Sequence, residues 1–323
     1  MNKFILPIAT CSFLLTILIA QYTKANSRVG LDTILSNNTK LEKLSGGFKF
    51  IEGPVWNKRG FLLFSDIGAN TIYKWTPDGQ ISIFRHPAGH SNGNTLDLKG
   101  RLITAEHDRR LVRTENDGKL TVLAERYGNK RLNSPNDVVT KSDGSIYFTD
   151  PPYGIGKDKE ELGFYGVYRL LLNGTLKLLT QEMVRPNGLA FSPDEKKLYV
   201  SDSQKQHIMV FQVKQDGTLD KGQVFAQLPG SADKGVPDGM KVDVQGNIYC
   251  SGSGGIWVFS PNAQLLGKII VPDIVTNLAW GDKDYKTLYI TASNVLYRIR
   301  LNIVGVKPGT VILLESGDRS RKL

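Results

Sequence analysis

Six copies of one short unit run through this chain, and that repetition constrains the fold more than any other feature. Each copy has a small polar phrase, a brief strand, a turn rich in Gly, Asp or Asn, and a second strand rich in Tyr, Phe, Ile and Val. The phrases are Glu52-Gly53-Pro54-Val55-Trp56, Gly93-Asn94-Thr95-Leu96, Pro135-Asn136-Asp137, Pro186-Asn187-Gly188, Pro237-Asp238-Gly239 and Thr276-Asn277-Leu278. A third strand follows each pair, as at Thr71-Ile72-Tyr73-Lys74-Trp75, and then a fourth, as at Ile81-Ser82-Ile83-Phe84. Four short antiparallel strands per unit of about 45 residues make a propeller blade. No long stretch of helical periodicity competes. A β-helix would need much shorter units, and a sandwich does not repeat its strands in fours. The expectation is an all-β, six-bladed β-propeller with four antiparallel strands per blade, forming one domain over residues 26–323. The last blade needs an outer strand. Thr310–Leu314 could supply it, but Leu41–Leu44 falls where an outer strand belongs, so closure by the N-terminal segment is preferred.

Composition narrows the function. The 323 residues carry a net charge of +10, from 41 Lys and Arg against 31 Asp and Glu. The basic residues are scattered, the densest run being Arg319, Arg321 and Lys322, and no helix carries a basic stripe. Nucleic-acid binding is therefore not expected, and a solvated basic surface is. Residues 1–25 read as a secretory signal peptide: Lys3, an apolar run from Phe4 to Ala20, then Ala25 before a cut that leaves Asn26 first. The competing reading is an uncleaved membrane anchor, but the run is short for a span and Pro7 interrupts it. The expected protein is exported to the periplasm or beyond, with no stable membrane insertion after cleavage. Loss of Cys11 with the signal would leave Cys250 alone, so no internal disulfide is expected. The oligomeric state is not readable.

Chemistry concentrates on the propeller axis. Aligning the phrases places Glu52, Asn94, Asn136, Asn187, Asp238 and Asn277 at one ring, spaced by 42, 42, 51, 51 and 39 residues. All six bear oxygen, none is His or Cys, and two are acidic. Two carboxylates crowded on one axis repel unless a cation or proton lies between them. Carboxylate and amide oxygens suit a hard divalent cation, Ca²⁺ above Mg²⁺ or Mn²⁺, whereas Zn²⁺ would favour His or Cys. No nucleophilic triad is visible. Gly252-Ser253-Gly254-Gly255 matches a nucleophile elbow only in part, because Ser251 stands where the first Gly belongs.

The phrases Glu52-Gly53-Pro54-Val55-Trp56, Ser134-Pro135-Asn136-Asp137, Arg185-Pro186-Asn187-Gly188-Leu189 and Pro237-Asp238-Gly239-Met240 resemble, in combination and order, the SMP-30/gluconolactonase/LRE-like family over residues 40–300. That family includes regucalcin and bacterial gluconolactonases. The resemblance implies hydrolysis of a sugar lactone or related ester, with a divalent cation held by Glu52, Asn187 and Asp238, and with Asn136 near metal and substrate. Asp238 would double as general base, with Asp137 as its rival. His90, Asn92, Glu106, His107, Arg131, Asn133 and Tyr153 are candidate substrate contacts in the loops. Two other functions would use the same ring: a metal-dependent esterase or organophosphate hydrolase, and a non-catalytic calcium-binding propeller.

Overall fold

The computed structural model describes residues 30–36, 38–230 and 233–312. The expected signal peptide, Cys11, Asn26 and the basic tail at Arg319–Lys322 lie outside these residues, as do the last residues of Thr310–Leu314. Six four-stranded antiparallel sheets follow one another around a ring, with one extra two-stranded hairpin at Arg126–Tyr127 and Lys130–Arg131. This is the six-bladed propeller read from the repeats. The innermost strands of blades one to six are Ile51–Asn57, Ser91–Leu96, Val138–Thr140, Pro186–Phe191, Met240–Val242 and Val275–Gly281. Blade six takes its outer strand from the N-terminal segment: Leu41–Gly46 pairs antiparallel with Val295–Arg300. The closure preferred from sequence is the one observed. Among the described residues, no helix is long and apolar enough to cross a membrane.

The strand pattern follows from burial. The innermost strands of blades one and six are buried along their whole length, while the outermost strand of blade one, Ile81–Arg85, is largely exposed. Apolar residues on both faces of the inner strands are needed because each blade packs on a neighbour at either side. Six hydrophobic clusters result, one at each blade interface. Tyr147, Tyr199, Tyr249 and Tyr289 occupy matching positions in the second strands and are buried. Three of them pack on an aromatic ring of the next blade's innermost strand: Tyr147 on Phe191 at 4.9 Å, Tyr249 on Trp280 at 5.1 Å and Tyr289 on Trp56 at 5.2 Å. The last of these joins blade six to blade one.

The C-terminal segment does something else than add a strand. Residues 304–312 cross the end of the axis opposite the ring phrases. Val306 donates to Val242 O, Gly309 to Thr140 O and Ile312 to Pro193 O, so one segment ties blades five, three and four. Val306–Thr310 close a narrow axial cavity lined by Val55, Val139, Ala190, Lys241 and Ala279.

Truncating Tyr289 removes a ring shared by the closing blades and one end of its bond to Asp282. Tyr289→Ala is expected to destabilise the protein by about 3–5 kcal/mol, read as a lower urea midpoint with unchanged blade-rich circular dichroism before the transition.

Candidate metal centre on the propeller axis

The inner strands converge so closely that their backbones touch. Gly93 N donates to Asn136 O, Gly188 N to Asp238 O at 3.2 Å, and Gly239 N to Thr276 O. These contacts fix which residues are equivalent from blade to blade, and they correct the sequence alignment at two blades. The mouth layer is Glu52, Asn92, Asn136, Asn187, Asp238 and Thr276. The layer below it is Gly53, Gly93, Asp137, Gly188, Gly239 and Asn277. Asn94 and Asn277, placed in the mouth ring from sequence, are two positions and one position too deep. The reason is local: each of these two strands carries an Asn just past the mouth position, where Asn92 and Thr276 stand; the register shifts there, between Ser91 and Asn94 and between Val275 and Asn277, recur in blades one and four, where the alignment of Glu52 and Asn187 holds. Asn94 instead ties blades together, its amide donating to Gly53 O and Ser65 Oγ at 2.8 Å.

Glu52 is buried, and both of its hydrogen bonds fall on Oε2, from Gly53 N at 2.7 Å and Asn277 Nδ2 at 3.1 Å. Burial, then repulsion from Asp137, pushes its carboxyl up to about 7. Asp238 is only partly covered. Burial of its carboxyl, with Glu52 and Asp137 close by, raises it well above the carboxylate range. Asn187 donates through Nδ2 to Ser203 Oγ at 3.0 Å, and Ser203 in turn donates to Pro237 O. Asn187 Oδ1 is buried and has no partner, and so is Asn92 Oδ1. An unpaired buried amide oxygen is costly. Two of them in a ring with mutually repelling carboxylates fit a hard cation, which needs several oxygens and offsets the negative charge. The charge of the ring therefore suits the divalent cation expected, with Glu52, Asn187 and Asp238 as its holders, Asn136 in the same layer and Asn92 as an added oxygen. Among the described residues, no group of three or more His, Cys, Asp or Glu forms a metal cluster. Three of the five oxygen donors named here are amides.

Asp137 sits one layer deeper. Its Oδ1 accepts from Val138 N at 3.0 Å and its Oδ2 from Leu189 N at 3.4 Å. Burial raises it, and Lys241 is the first of several groups that oppose the rise.

The loop candidates divide. Tyr153 reaches the site: its hydroxyl lies against Ser203 and Asn187, near Asp238, and Arg185 covers its ring. His107 touches the mouth layer through Asn92, whose Nδ2 meets His107 Nε2 at 3.1 Å. Burial, then His90, depresses His107 to about 4, so its ring is neutral near pH 7. The remaining candidates are not brought to the ring. Glu106 is fully buried, with Oε1 on Arg85 at 2.7 Å and Oε2 on Arg110 at 2.5 Å. Asn133 donates through Nδ2 to Asp150 O and Phe164 O, holding the loop that carries Tyr153. Arg131 is bound on the surface to Asp108 O, and its N–H to Glu161. His90 pairs with Asp108 at 2.9 Å, exposed.

Glu106 belongs to a structural set: Asp66, Asp150 and Asp202 also end second strands. Asp66 accepts from Lys49 and Phe50 N–H, Asp150 from Asn133 N–H, and Asp202 from Val184 and Arg185 N–H. Each of these three aspartates pins the loop that enters its innermost strand, while Glu106 binds Arg85 and Arg110 instead. Counting back from these acids would have given the right register in blade two. Lys241 went unnoticed, although it was the one charged side chain in a layer that is otherwise Val55, Thr95, Val139, Ala190 and Ala279.

The family model "SMP-30/Gluconolactonase/LRE-like region" matches residues 50–294. A gluconolactonase of Zymomonas mobilis is 39% identical over 89% of this chain and 88% of its own. The structure of a gluconolactonase from Xanthomonas campestris superposes with a TM-score of 0.77 at 35% identity, covering 84% of this chain and 92% of that one. The calcium-binding protein regucalcin of Agrobacterium tumefaciens shares the fold, with a TM-score of 0.73 at 19% identity over 85% of this chain and 98% of that one. By sequence and by structure, this chain is a member of the SMP-30/gluconolactonase/LRE-like family.

Proposed function

We propose that the chain hydrolyses a sugar lactone of the gluconolactone type at the axial mouth, with a divalent cation, Ca²⁺ first among candidates, held by Glu52, Asn187 and Asp238. The observation that carries this reading is the buried, unpartnered Asn187 Oδ1, fixed by Ser203 in a layer with two carboxylates. The names of the Zymomonas and Xanthomonas relatives support the substrate class. A divalent cation in such a place polarises an ester carbonyl and lowers the pKa of water.

The protein's own groups do the rest. Asp238 is the base that takes the proton of the attacking water, because it alone of the three acids is partly open to the mouth. Asp137, its rival from sequence, has each oxygen on a backbone N–H and lies below the ring. The Tyr153 hydroxyl stands beside Asn187 and Asp238, placed to bind a sugar hydroxyl. His107, neutral near pH 7, holds the Asn92 amide nitrogen and leaves Asn92 Oδ1 free for the cation.

Hydrolysis of D-glucono-1,5-lactone should vanish on metal stripping and return with Ca²⁺. Asp238→Ala should lower kcat/KM at least about 100-fold, or about 2.7 kcal/mol in the transition state. A folded, cation-binding protein without turnover would remove gluconolactone, and a wider ester panel would then find the substrate or show that none exists.

The pH dependence has a definite sign. Native Glu52 holds a proton between its ordinary 4.5 and about 7, where the unfolded chain has released it. Metal-free stability from this group therefore falls as pH rises through that window. A cation takes the proton's place, so its stabilisation grows over the same window. The rise in melting midpoint on adding Ca²⁺ should be larger at pH 8 than at pH 5, and equal rises at both would contradict it.

A further inference from the structure

Below the mouth layer, four of the six axial residues are Gly53, Gly93, Gly188 and Gly239, so that layer holds only two side chains, Asp137 and Asn277. One layer further down, five blades place Val55, Thr95, Val139, Ala190 and Ala279, and blade five places Lys241. Its neighbours Met240 and Val242 are buried, and Lys241 lines the closed axial cavity. The Lys241 ammonium bonds to Met240 O at 2.9 Å and to Asn277 Oδ1 at 3.3 Å. Asn277 Nδ2 donates in turn to Glu52 Oε2. The ammonium also acts through its charge on both Asp137 and Glu52.

We propose that Lys241 is a built-in counter-charge of the axial acid cluster, a positioning residue that sets both the affinity of the site and the valence of the cation it prefers. When ionised around a cation, Glu52, Asp137 and Asp238 carry three negative charges, and Lys241 takes up one. The remainder matches a divalent cation. This rests on the cation of the functional reading and adds the residue that tunes it. Lys241 touches no substrate. It acts through Asn277 and through its field.

The test compares Ca²⁺ with Tb³⁺, which is similar in size and one charge higher. Calorimetry on the metal-free whole protein gives both Kd values for wild type, Lys241→Met, Lys241→Gln and Lys241→Arg. Removing a nearby unit charge changes binding on the order of tenfold per unit of cation charge at an effective permittivity near 20. Lys241→Met and Lys241→Gln should therefore raise the preference for Tb³⁺ over Ca²⁺ about tenfold, with Lys241→Arg at the wild-type ratio. A purely structural role would weaken both ions alike and leave the ratio unchanged, and that result overturns the proposal. Glutamine serves if methionine does not fold. The titration needs no turnover, so a protein without lactonase activity still answers it. Failure of wild type to bind either ion would overturn the proposal together with the cation in the functional reading.

Discussion

At the axis backbone packs directly on backbone, and the architecture depends on it. A Cβ on Gly53 would stand 2.1 Å from Asn92 O, one on Gly93 2.5 Å from Asn136 O, and one on Gly188 2.3 Å from Asp238 O. These positions admit only glycine, because real Cβ atoms do not come that near. Gly53 also has φ of +49°, which a side chain resists. Hydroxyls tie the ring further: from the second strands Thr149 Oγ1 donates to Asn187 O and Ser201 Oγ to Asp238 O, and in the mouth layer Thr276 Oγ1 donates to Ile51 O. Neighbouring blades are thus tied by polar bonds at the centre and by apolar clusters outside. The backbone carbonyls that would be stranded in a dry tunnel are used to position the very residues that face the mouth.

Two glutamates show how environment divides labour. Glu106 and Glu52 are both buried in inner strands, yet Glu106 has a guanidinium on each oxygen and Glu52 has an amide and a backbone N–H on one. The first is a closed ionic knot whose charge is spent within the protein. The second has no cation on either oxygen, and its counter-charge is Lys241, reached through Asn277. Sequence type alone does not distinguish them. What matters is whether arginines from neighbouring strands arrive, as Arg85 and Arg110 do.

The fold was legible because propeller blades repeat: the Tyr-bearing second strands and the Gly-containing turns recur with the spacing that four short strands impose. The closing strand was legible too, since Leu41–Gly46 falls one strand-length before blade one. The mouth layer was legible in four blades. It blurred in blades two and six, where an Asn stands just past the right place in each and competes with Asn92 and Thr276. The loop residues were not legible, because Glu106, Asn133 and Arg131 are of polar types that suit a substrate as well as a loop anchor. Only the arrival of Arg85, Asp150 and Glu161 in space decides between those uses. Lys241 was hidden for a related reason: a lone lysine in a short strand reads as a solvent-facing residue until the axis is built around it.

Ring closure couples the two ends of the chain in time as well as in space. Blade six is completed by Leu41–Gly46, made before blade one, against Val295–Arg300, made after the other five blades. The segment at 304–312 that covers the axial cavity emerges later still. A nascent chain that has delivered five blades still lacks the partner of its first strand, and Trp56 waits for Tyr289. During synthesis, the apolar flank of blade one stays wet until the final blade leaves the ribosome. A protein with this topology therefore closes its ring only after all six blades exist.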